Sequence, residues 1–238
     1  IKAAKESKLL DEIYLNSESN ILEEIALNNN IKFFKREEFY SSDESTNDDF
    51  ALDFLNKVDC NILIQLLPTS PFTSGKTIDK FINKMVDENF KTLISVYDVK
   101  IESLYKNKGI NFNPLKKTPP SQLLEPIKAY ACGIMGWEKD SYIKNIQKYK
   151  AAYHGGDSKK GYFNISGIET VDIDNEEDFN LAELIAKTIN QKKEKPQYYT
   201  SNQNLIFDRD RKKVLIDDGV RLNNMDNYNQ EITSVDEI

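Results

Sequence analysis

An apolar run of strand length, Asn61-Ile62-Leu63-Ile64-Gln65-Leu66-Leu67, stops at Pro68-Thr69-Ser70-Pro71. Two prolines bracket two hydroxyl side chains, so the strand ends there and delivers Thr69 and Ser70 at its carboxyl end. Around it, helical and strand patterns alternate. Residues 1–9 read as the end of a helix, 12–15 as a strand, 20–27 as a helix stopping at Asn28-Asn29-Asn30, 31–34 as a strand followed by a polar loop, and 92–96 as a further strand. Ser42 or Asp43 is the expected cap of a helix carrying Phe50, Ala51, Phe54 and Leu55, and Ser74 that of a helix carrying Ile78, Phe81, Ile82 and Met85. Such alternation predicts an α/β fold of three layers, α/β/α, around a mostly parallel sheet. Open sheets of this class bind ligands beyond the carboxyl ends of their strands.

A second motif, Val171-Asp172-Ile173-Asp174-Asn175-Glu176-Glu177-Asp178-Phe179, leads into another helix. If Asp172-Ile173-Asp174 is extended, the two carboxylates share a face and Ile173 turns to the core. Paired carboxylates suit Mg²⁺, which takes one or two of them and completes its octahedron with water and phosphate oxygens; the plain alternative is a strand end solvating a loop. Asn175 is the expected cap of the next helix, with Asp178 as its partner and Phe179, Leu181, Ala182, Leu184, Ile185 and Ile189 on its buried side. Gly155-Gly156-Asp157-Ser158-Lys159-Lys160-Gly161 precedes a strand rather than a helix, so it reads as a turn and not as a Walker loop, with Lys160 left as a candidate for screening substrate charge. Thr69 and Ser70 suit hydrogen bonding to a ligand's hydroxyls, and they are equally good turn residues.

Composition narrows the classes. The 238 residues carry a net charge of −7, and no basic cluster is interleaved with aromatics, which argues against nucleic acid as a partner. Cys60 and Cys132 are the two cysteines and His154 the one histidine, so neither a disulfide framework nor a zinc site is indicated and a reducing compartment, the cytoplasm, is expected. No apolar run approaches the ~20 residues of a membrane span.

Between 98 and 156 the alternation gives way to Lys-rich and Pro-rich stretches, including Pro114, Pro119, Pro120 and Pro126, which read as an insertion, with 129–134 as a possible return to the sheet. After a charged linker at 191–196, apolar runs at 204–207 and 214–216 flank Asp208-Arg209-Asp210-Arg211-Lys212-Lys213 as a β-hairpin, and the end from Asn223 is expected to be mobile.

In order along the chain, residues 1–11, Asn16-Ser17-Glu18-Ser19, Asp43-Glu44-Ser45-Thr46-Asn47-Asp48-Asp49, the Pro-Thr-Ser-Pro turn, Leu93-Ile94-Ser95-Val96, Asn111-Phe112-Asn113-Pro114, Leu124-Glu125-Pro126 and Asp172-Ile173-Asp174 resemble the acylneuraminate (CMP-sialic acid) cytidylyltransferases, with CMP-Kdo synthetases as more distant relatives. The resemblance extends to about Lys187. It implies a Rossmann-like nucleotidyltransferase fold over 1–190 with the 98–156 region as a dimerisation arm, and a tail at 191–238. It further implies transfer of CMP from CTP to the anomeric hydroxyl of an acidic eight- or nine-carbon sugar in surface-glycan synthesis, Mg²⁺ on Asp172 and Asp174, and a homodimer. Thr69, Ser70, Gln122 and Lys160 would then face substrate, and Glu18 would be peripheral.

The departures are specific. Relatives open with a strand and a basic Gly-rich loop that holds the triphosphate; nothing here corresponds to either, and the chain is expected to be truncated by roughly 30 residues, the usual size of such a unit. Leu67 stands where relatives carry Gln, Thr73 where they carry an Arg, and Pro120 and Leu123 where they show the Arg and Asp of Arg-Thr-Gln-Asp-Leu-Glu-Pro. Loss of an always-charged planar fork weakens carboxylate or phosphate binding, so a homologue that only binds a sugar or a sister subunit is the alternative expectation.

Overall fold

The computed structural model describes residues 1–42 and 44–191, and beyond them the backbone of four strands. The chain divides into two units, Ile1–Asp178 and Phe179–Ile238. In the first, α1 (Lys2–Glu6), β1 (Tyr14–Ser17), α2 (Asn20–Asn28), β2 (Lys32–Lys35), α3 (Asn47–Lys57), β3 (Ile62–Leu66), α4 (Gly75–Asp87) and β4 (Thr92–Val99) reproduce the expected alternation. A small hairpin follows, β5 (Leu104–Tyr105) with β6 (Lys108–Gly109), then β7 (Ile127–Glu138), α5 (Lys139–Tyr149), β8 (Lys160–Asn164) and the start of α6 (Glu176–Gln191).

The main sheet has the order β3-β7-β4-β8. Strands β4 and β8 are parallel, while β7 runs antiparallel to both β3 and β4. Three strands therefore share a direction and one is reversed. The reversed strand comes from the stretch expected to be an inserted arm: residues 127–149 supply a central strand and a core helix, leaving 100–126 as the part outside the sheet. The 12-residue β7 is buried at nearly every position from Ala131 to Trp137, with Ala131, Ile134, Met135 and Trp137 in the core, as a strand flanked on both sides must be. Strands β1 and β2 form a separate parallel pair.

Strand alternation sends successive side chains to opposite faces. On one face Ile94, Met135 and Trp137 pack with Ala51 and Leu55 of α3, Tyr142 of α5 and Ala152. On the other, Leu93 and Ile134 pack with Ile78, Phe81 and Met85 of α4, and Ala3 and Leu10 lie against that cluster. Trp137 is fully buried and donates its indole N–H to the Tyr153 carbonyl at 3.1 Å, so its polar handle is satisfied. Each side chain of this size contributes about 1.5–3 kcal/mol on burial.

The helix starts follow local chemistry. Ser74 accepts from the Thr77 N–H at 3.2 Å, as its position before the Ile78/Phe81/Met85 stripe predicts. Helix α3 is capped not by Ser42 or Asp43 but by Thr46, through a capping box with Asp49; Thr46-x-x-Asp49 places a carboxylate at the third helical position, which returns a bond to the Thr46 N–H at 2.8 Å. Asp43 itself lies outside the described residues. Part of the polar loop before it is a 3₁₀ turn, Glu38–Ser41.

In α6, the Asp178 N–H donates to Asn175 Oδ1 at 3.1 Å, the expected cap. Phe179, Leu181 and Leu184, expected on its buried side, are exposed, whereas Ala182 is buried. Six apolar positions span more than one stripe of a helix, and of the expected set only 182, 185 and 189 are buried or half-buried. In the second unit, β9 (Tyr198–Thr200), β10 (Leu205–Asp208), β11 (Lys213–Ile216) and β12 (Asp236–Glu237) form an antiparallel sheet in the order β12-β11-β10-β9. Leu205 pairs with Ile216 and Phe207 with Val214, the register of the expected hairpin. Its turn, the linker from 192 and the end from Asn223 to 235 lie outside the described residues. Among the described residues no helix is long and apolar enough to cross a membrane.

Candidate active site

Strand β3 ends at Leu66, and the Leu67 N–H bonds the Gly133 carbonyl at 3.3 Å, carrying the chain over β7 into the Pro-Thr-Ser-Pro turn. The turn closes with the Ser70 N–H on the Leu67 carbonyl at 3.2 Å. Ser70 is buried, 4% exposed, against Gly133. A Cβ at position 133 would stand 3.1 Å from the Ser70 Cβ and 3.3 Å from the hydroxyls of Ser70 and Thr73, so glycine there makes room for the loop.

The kink beside that glycine has a clear origin. β7 pairs Met135 with Ile94 but Tyr130 with Val96, so extra residues are accommodated in a bulge opposite Ser95. Cys132 takes the strain with φ 53°, at a cost of about 1–3 kcal/mol for a non-glycine residue. Ser95 Oγ replaces the lost ladder bond by accepting from the Ile134 N–H at 3.1 Å. Bulges of this kind re-aim side chains and gather near functional sites.

Residues 171–174 meet this loop. The Ile173 N–H donates to the Thr69 carbonyl at 2.9 Å, and Ser70 Oγ donates to Asp172 Oδ1 at 3.5 Å. The expected strand through Asp172 and Asp174 does not form: β8 ends at Asn164, a 3₁₀ turn covers Gly167–Thr170, and the Asp-Ile-Asp segment lies outside every ladder. That segment docks on a loop, where a single backbone bond takes the place of a register. The two carboxylates nevertheless act on one group. Burial pushes the Cys132 thiol pKa up, a hydrogen bond with the Tyr153 hydroxyl opposes this, and Asp172 and Asp174 both add to the rise. Tyr153 is likewise pushed up by burial first, then by Cys132 and Tyr130, with Asp172 adding. Around them, Tyr153 and His154 meet edge to face at 4.9 Å, and His154 Nδ1 lies 3.2 Å from the Tyr130 hydroxyl.

Asp172 is half-buried and Asp174 exposed, and among the described residues no group of three or more His, Cys, Asp or Glu is arranged to hold a metal. Two carboxylates without a third protein ligand fit Mg²⁺, which keeps waters and binds through substrate phosphates, and not a cation that needs an all-protein cage.

The other expected contacts divide. Thr69 and Ser70 lie with Asp172. Gln122 makes no hydrogen bond to them among the described residues: it sits exposed in the 3₁₀ turn Ser121–Leu123, with its backbone carbonyl accepting from Lys100 at 3.1 Å. Lys160 is at the opposite end of the sheet. It opens β8 opposite Thr92, the first residue of β4, and its ammonium donates to the Gly156 carbonyl at 2.9 Å, whereas the Ser70 loop lies at the strands' carboxyl ends. Gly155 and Gly156, both at positive φ, pack on Thr92 and Asn145 as a tight turn. Glu18 accepts from Ser41 and Arg36, which hold its carboxyl down at about 2. Sequence reasoning missed Cys132 and Gly133; the signal was there, since a glycine inside an apolar strand marks a bulge or a close approach.

The family model for cytidylyltransferases matches residues 1–122. The N-acylneuraminate cytidylyltransferases of Streptococcus agalactiae serotype III and serotype Ia are each 23% identical over 247 residues, covering 97% of this chain and 58% of the relative. The chain thus spans less than two thirds of the length of the curated relatives it matches. Among solved structures, 4-diphosphocytidyl-2C-methyl-D-erythritol synthase from Anaerococcus prevotii DSM 20548 superposes with TM-score 0.56 at 16% identity, covering 78% of this chain and 82% of that one. CMP:2-keto-3-deoxy-manno-octonic acid synthetase complexed with CTP does so with TM-score 0.56 at 12% identity, covering 80% and 85%. These likenesses carry the fold, and the match over residues 1–122 carries the lineage: the chain belongs to the cytidylyltransferase family.

Proposed function

We propose that this chain forms most of the catalytic domain of an enzyme that moves CMP from CTP to the anomeric hydroxyl of a sialic-acid-like ulosonic acid and releases pyrophosphate. The observation that carries it is the docking of the Asp172–Asp174 segment on the Thr69–Ser70 turn at the carboxyl end of β3, through the Ile173 N–H on the Thr69 carbonyl and the Ser70 hydroxyl on Asp172. The names of the curated relatives support an acylneuraminate acceptor.

In this reaction the anomeric oxygen attacks the α-phosphorus, its proton passes to solvent or a neighbouring base, and the bond from that phosphorus to the β-phosphate oxygen breaks. Such transfer depends on positioning and charge neutralisation more than on a protein nucleophile. Asp172 and Asp174 would hold Mg²⁺, which when bound neutralises phosphate charge and lowers the pKa of a coordinated hydroxyl. Ser70 orients Asp172 through its hydroxyl, the Thr69 carbonyl fixes the height of Ile173, and the bulge at Cys132–Gly133 seats the loop that carries both.

A further strand and a triphosphate-binding loop complete the domain on this reading. In support, among the described residues β1 bonds only β2 and β3 bonds only β7, yet α3 packs on both sheets, with Phe54 against Tyr14 and Phe34 and with Leu55 in the main core. Asn16 Oδ1 of β1 and Gln65 Oε1 of β3 are buried without partners among the described residues. An inserted strand between the two sheets offers bonds for such groups.

The test is pyrophosphate release by the full-length protein with CTP, Mg²⁺ and a panel of eight- and nine-carbon ulosonic acids, beside Asp172→Asn/Asp174→Asn. Turnover with one of these acids that falls at least about 10²-fold in the double variant, about 2.7 kcal/mol of barrier, is the expected result. Turnover indifferent to the double change would refute the carboxylate assignment, and none with any acid would refute the substrate class.

A further inference from the structure

Helix α4 begins directly after the Ser70 loop, and its N-terminal cap is incomplete within its own sequence. In a capping box the N-cap side chain accepts from the third helical N–H, and an acidic side chain at that third position reaches back to the N-cap N–H. Ser74 does its half, accepting from the Thr77 N–H at 3.2 Å. The third position holds Thr77, whose hydroxyl lies 2.9 Å from Ser74 Oγ, so no local carboxylate serves the Ser74 N–H. That bond goes to Glu169, 95 positions later: the Ser74 N–H donates to Glu169 Oε1 at 3.0 Å, and Thr77 Oγ1 lies 2.7 and 2.9 Å from the two Glu169 oxygens.

Glu169 sits in the 3₁₀ turn Gly167–Thr170, three residues before Asp172. The turn enters from β8 through the Ile165 N–H on the Val96 carbonyl at 2.8 Å and leaves through the Val171 N–H on the Ile168 carbonyl at 3.2 Å and the Ile173 N–H on the Thr69 carbonyl at 2.9 Å. The Asp172 segment, which has no ladder of its own, is thus pinned at two points to the two ends of one loop: Thr69 before it and the α4 N-terminus after it. A carboxylate at a helix N-terminus gains from both the charge-assisted bond and the helix dipole.

From this geometry we infer that Glu169 is a positioning residue. By completing the α4 capping box from a distance, it fixes Asp172 and Asp174 against the Thr69–Ser70 loop. The inference rests on the carboxylate-and-hydroxyl site proposed above.

The experiment compares Glu169→Ala, Glu169→Gln and Ser74→Ala in the full-length protein, reading amide hydrogen exchange across 170–174, Mn²⁺ affinity by electron paramagnetic resonance, and melting temperature. Ser74→Ala and Glu169→Ala each remove cap bonds from the same helix end, but only the second severs the link to Asp172. Glu169→Ala is expected to speed exchange across 170–174 about tenfold and to weaken Mn²⁺ binding about tenfold, at the lower end of what loss of an outer-shell partner does to a metal site. Glu169→Gln, whose amide oxygen still accepts from the Ser74 N–H, should retain most of both. Ser74→Ala should lower the melting temperature and leave both unchanged. Equal behaviour of Ser74→Ala and Glu169→Ala would overturn the inference and leave Glu169 as a helix cap only; so would Mn²⁺ affinity unaltered in Glu169→Ala. Absence of Mn²⁺ binding by the unsubstituted protein would overturn the two-carboxylate site itself and the positioning role with it, while the exchange measurement still decides whether the tether exists.

Discussion

Gly133→Ala separates the loop that carries Ser70 from the strand it rests on. An added Cβ would stand 3.1 Å from the Ser70 Cβ and 3.3 Å from the Ser70 and Thr73 hydroxyls, so the loop must yield by a few tenths of an ångström. The Ser70–Asp172 bond is already 3.5 Å long, and any outward shift breaks it. Overpacking of this size costs about 1–2 kcal/mol, or roughly 2–8 °C in melting temperature for a unit of this length. Gly136→Ala, three residues along β7, is the matched control. There a Cβ would meet Met85 Sδ at 2.8 Å and Phe81 Cε1 at 2.9 Å inside the core, a tighter overlap that should cost about 2–3 kcal/mol. Differential scanning fluorimetry and pyrophosphate release give the two readouts. Gly133→Ala should lose at least about tenfold in kcat/KM, about 1.4 kcal/mol, with the smaller fall in melting temperature, and Gly136→Ala should show the reverse order. If the more destabilised variant is also the less active one, the loop's seat on Gly133 has no particular role in the site.

Because Asp172 and Asp174 both raise the Cys132 thiol pKa, Asp172→Asn/Asp174→Asn should lower it, enlarge the thiolate fraction at pH 8 and speed alkylation of Cys132 a few-fold by mass spectrometry; an unchanged rate would mean that the carboxylates do not face the thiol. Glu18, depressed from 4.5 to about 2 by Ser41 and Arg36, contributes stability that is present above its unfolded value and is lost as pH falls from about 4.5 through about 2. Glu18→Gln should therefore flatten the acid limb of the urea-midpoint profile below about pH 4.5 and leave pH 7–8 nearly parallel. Trp137→Ala should cost about 3–5 kcal/mol by urea unfolding, since the indole is fully buried between α3 and α5. The 100–126 segment exposes Leu104 (63%), Tyr105 (64%), Leu115 (92%) and Leu123 (75%). We propose it as a surface that joins two copies of this chain: sedimentation of the unsubstituted protein as a dimer and of Leu104→Asp/Tyr105→Asp as a monomer is the expected result, and a monomeric unsubstituted protein would refute it.

The sequence was most legible where one local rule acted alone. The 61–67 run, Ser74 before its apolar stripe and the hairpin flanks at 204–207 and 214–216 each met a single periodicity or cap preference, and each formed as expected. Thr46 was legible in principle, as the first residue of a Thr-x-x-Asp box, but Ser42 and Asp43 offered the same chemistry a turn earlier. Residues 127–138 were harder. Their first half alternates exposed and buried sides and their second half is buried throughout, so no single period describes the strand. Asp172-Ile173-Asp174 has the alternation of a strand, yet what holds it is a turn 102 residues away, and no local pattern encodes that contact. Lys160 was placed by its charge and loop composition, whereas register decides which end of a sheet a residue occupies, and register depends on partner strands.

The reversal of β7 has a consequence for how the molecule comes together. Strands β3 and β4 are joined by the α4 crossover but are not neighbours; the slot between them is filled by residues that emerge about 30 positions after β4 has been synthesised. Until Glu138 has left the ribosome, both strands present a bare edge, and α3 and α4 have no continuous sheet to cover. Such late, non-local pairing slows folding and leaves apolar edges open to other chains. A nascent chain that ends in the Pro-rich stretch before β7 therefore carries β3 and β4 without the strand that joins them, and β4 gains its second neighbour, β8, only about 20 residues after β7.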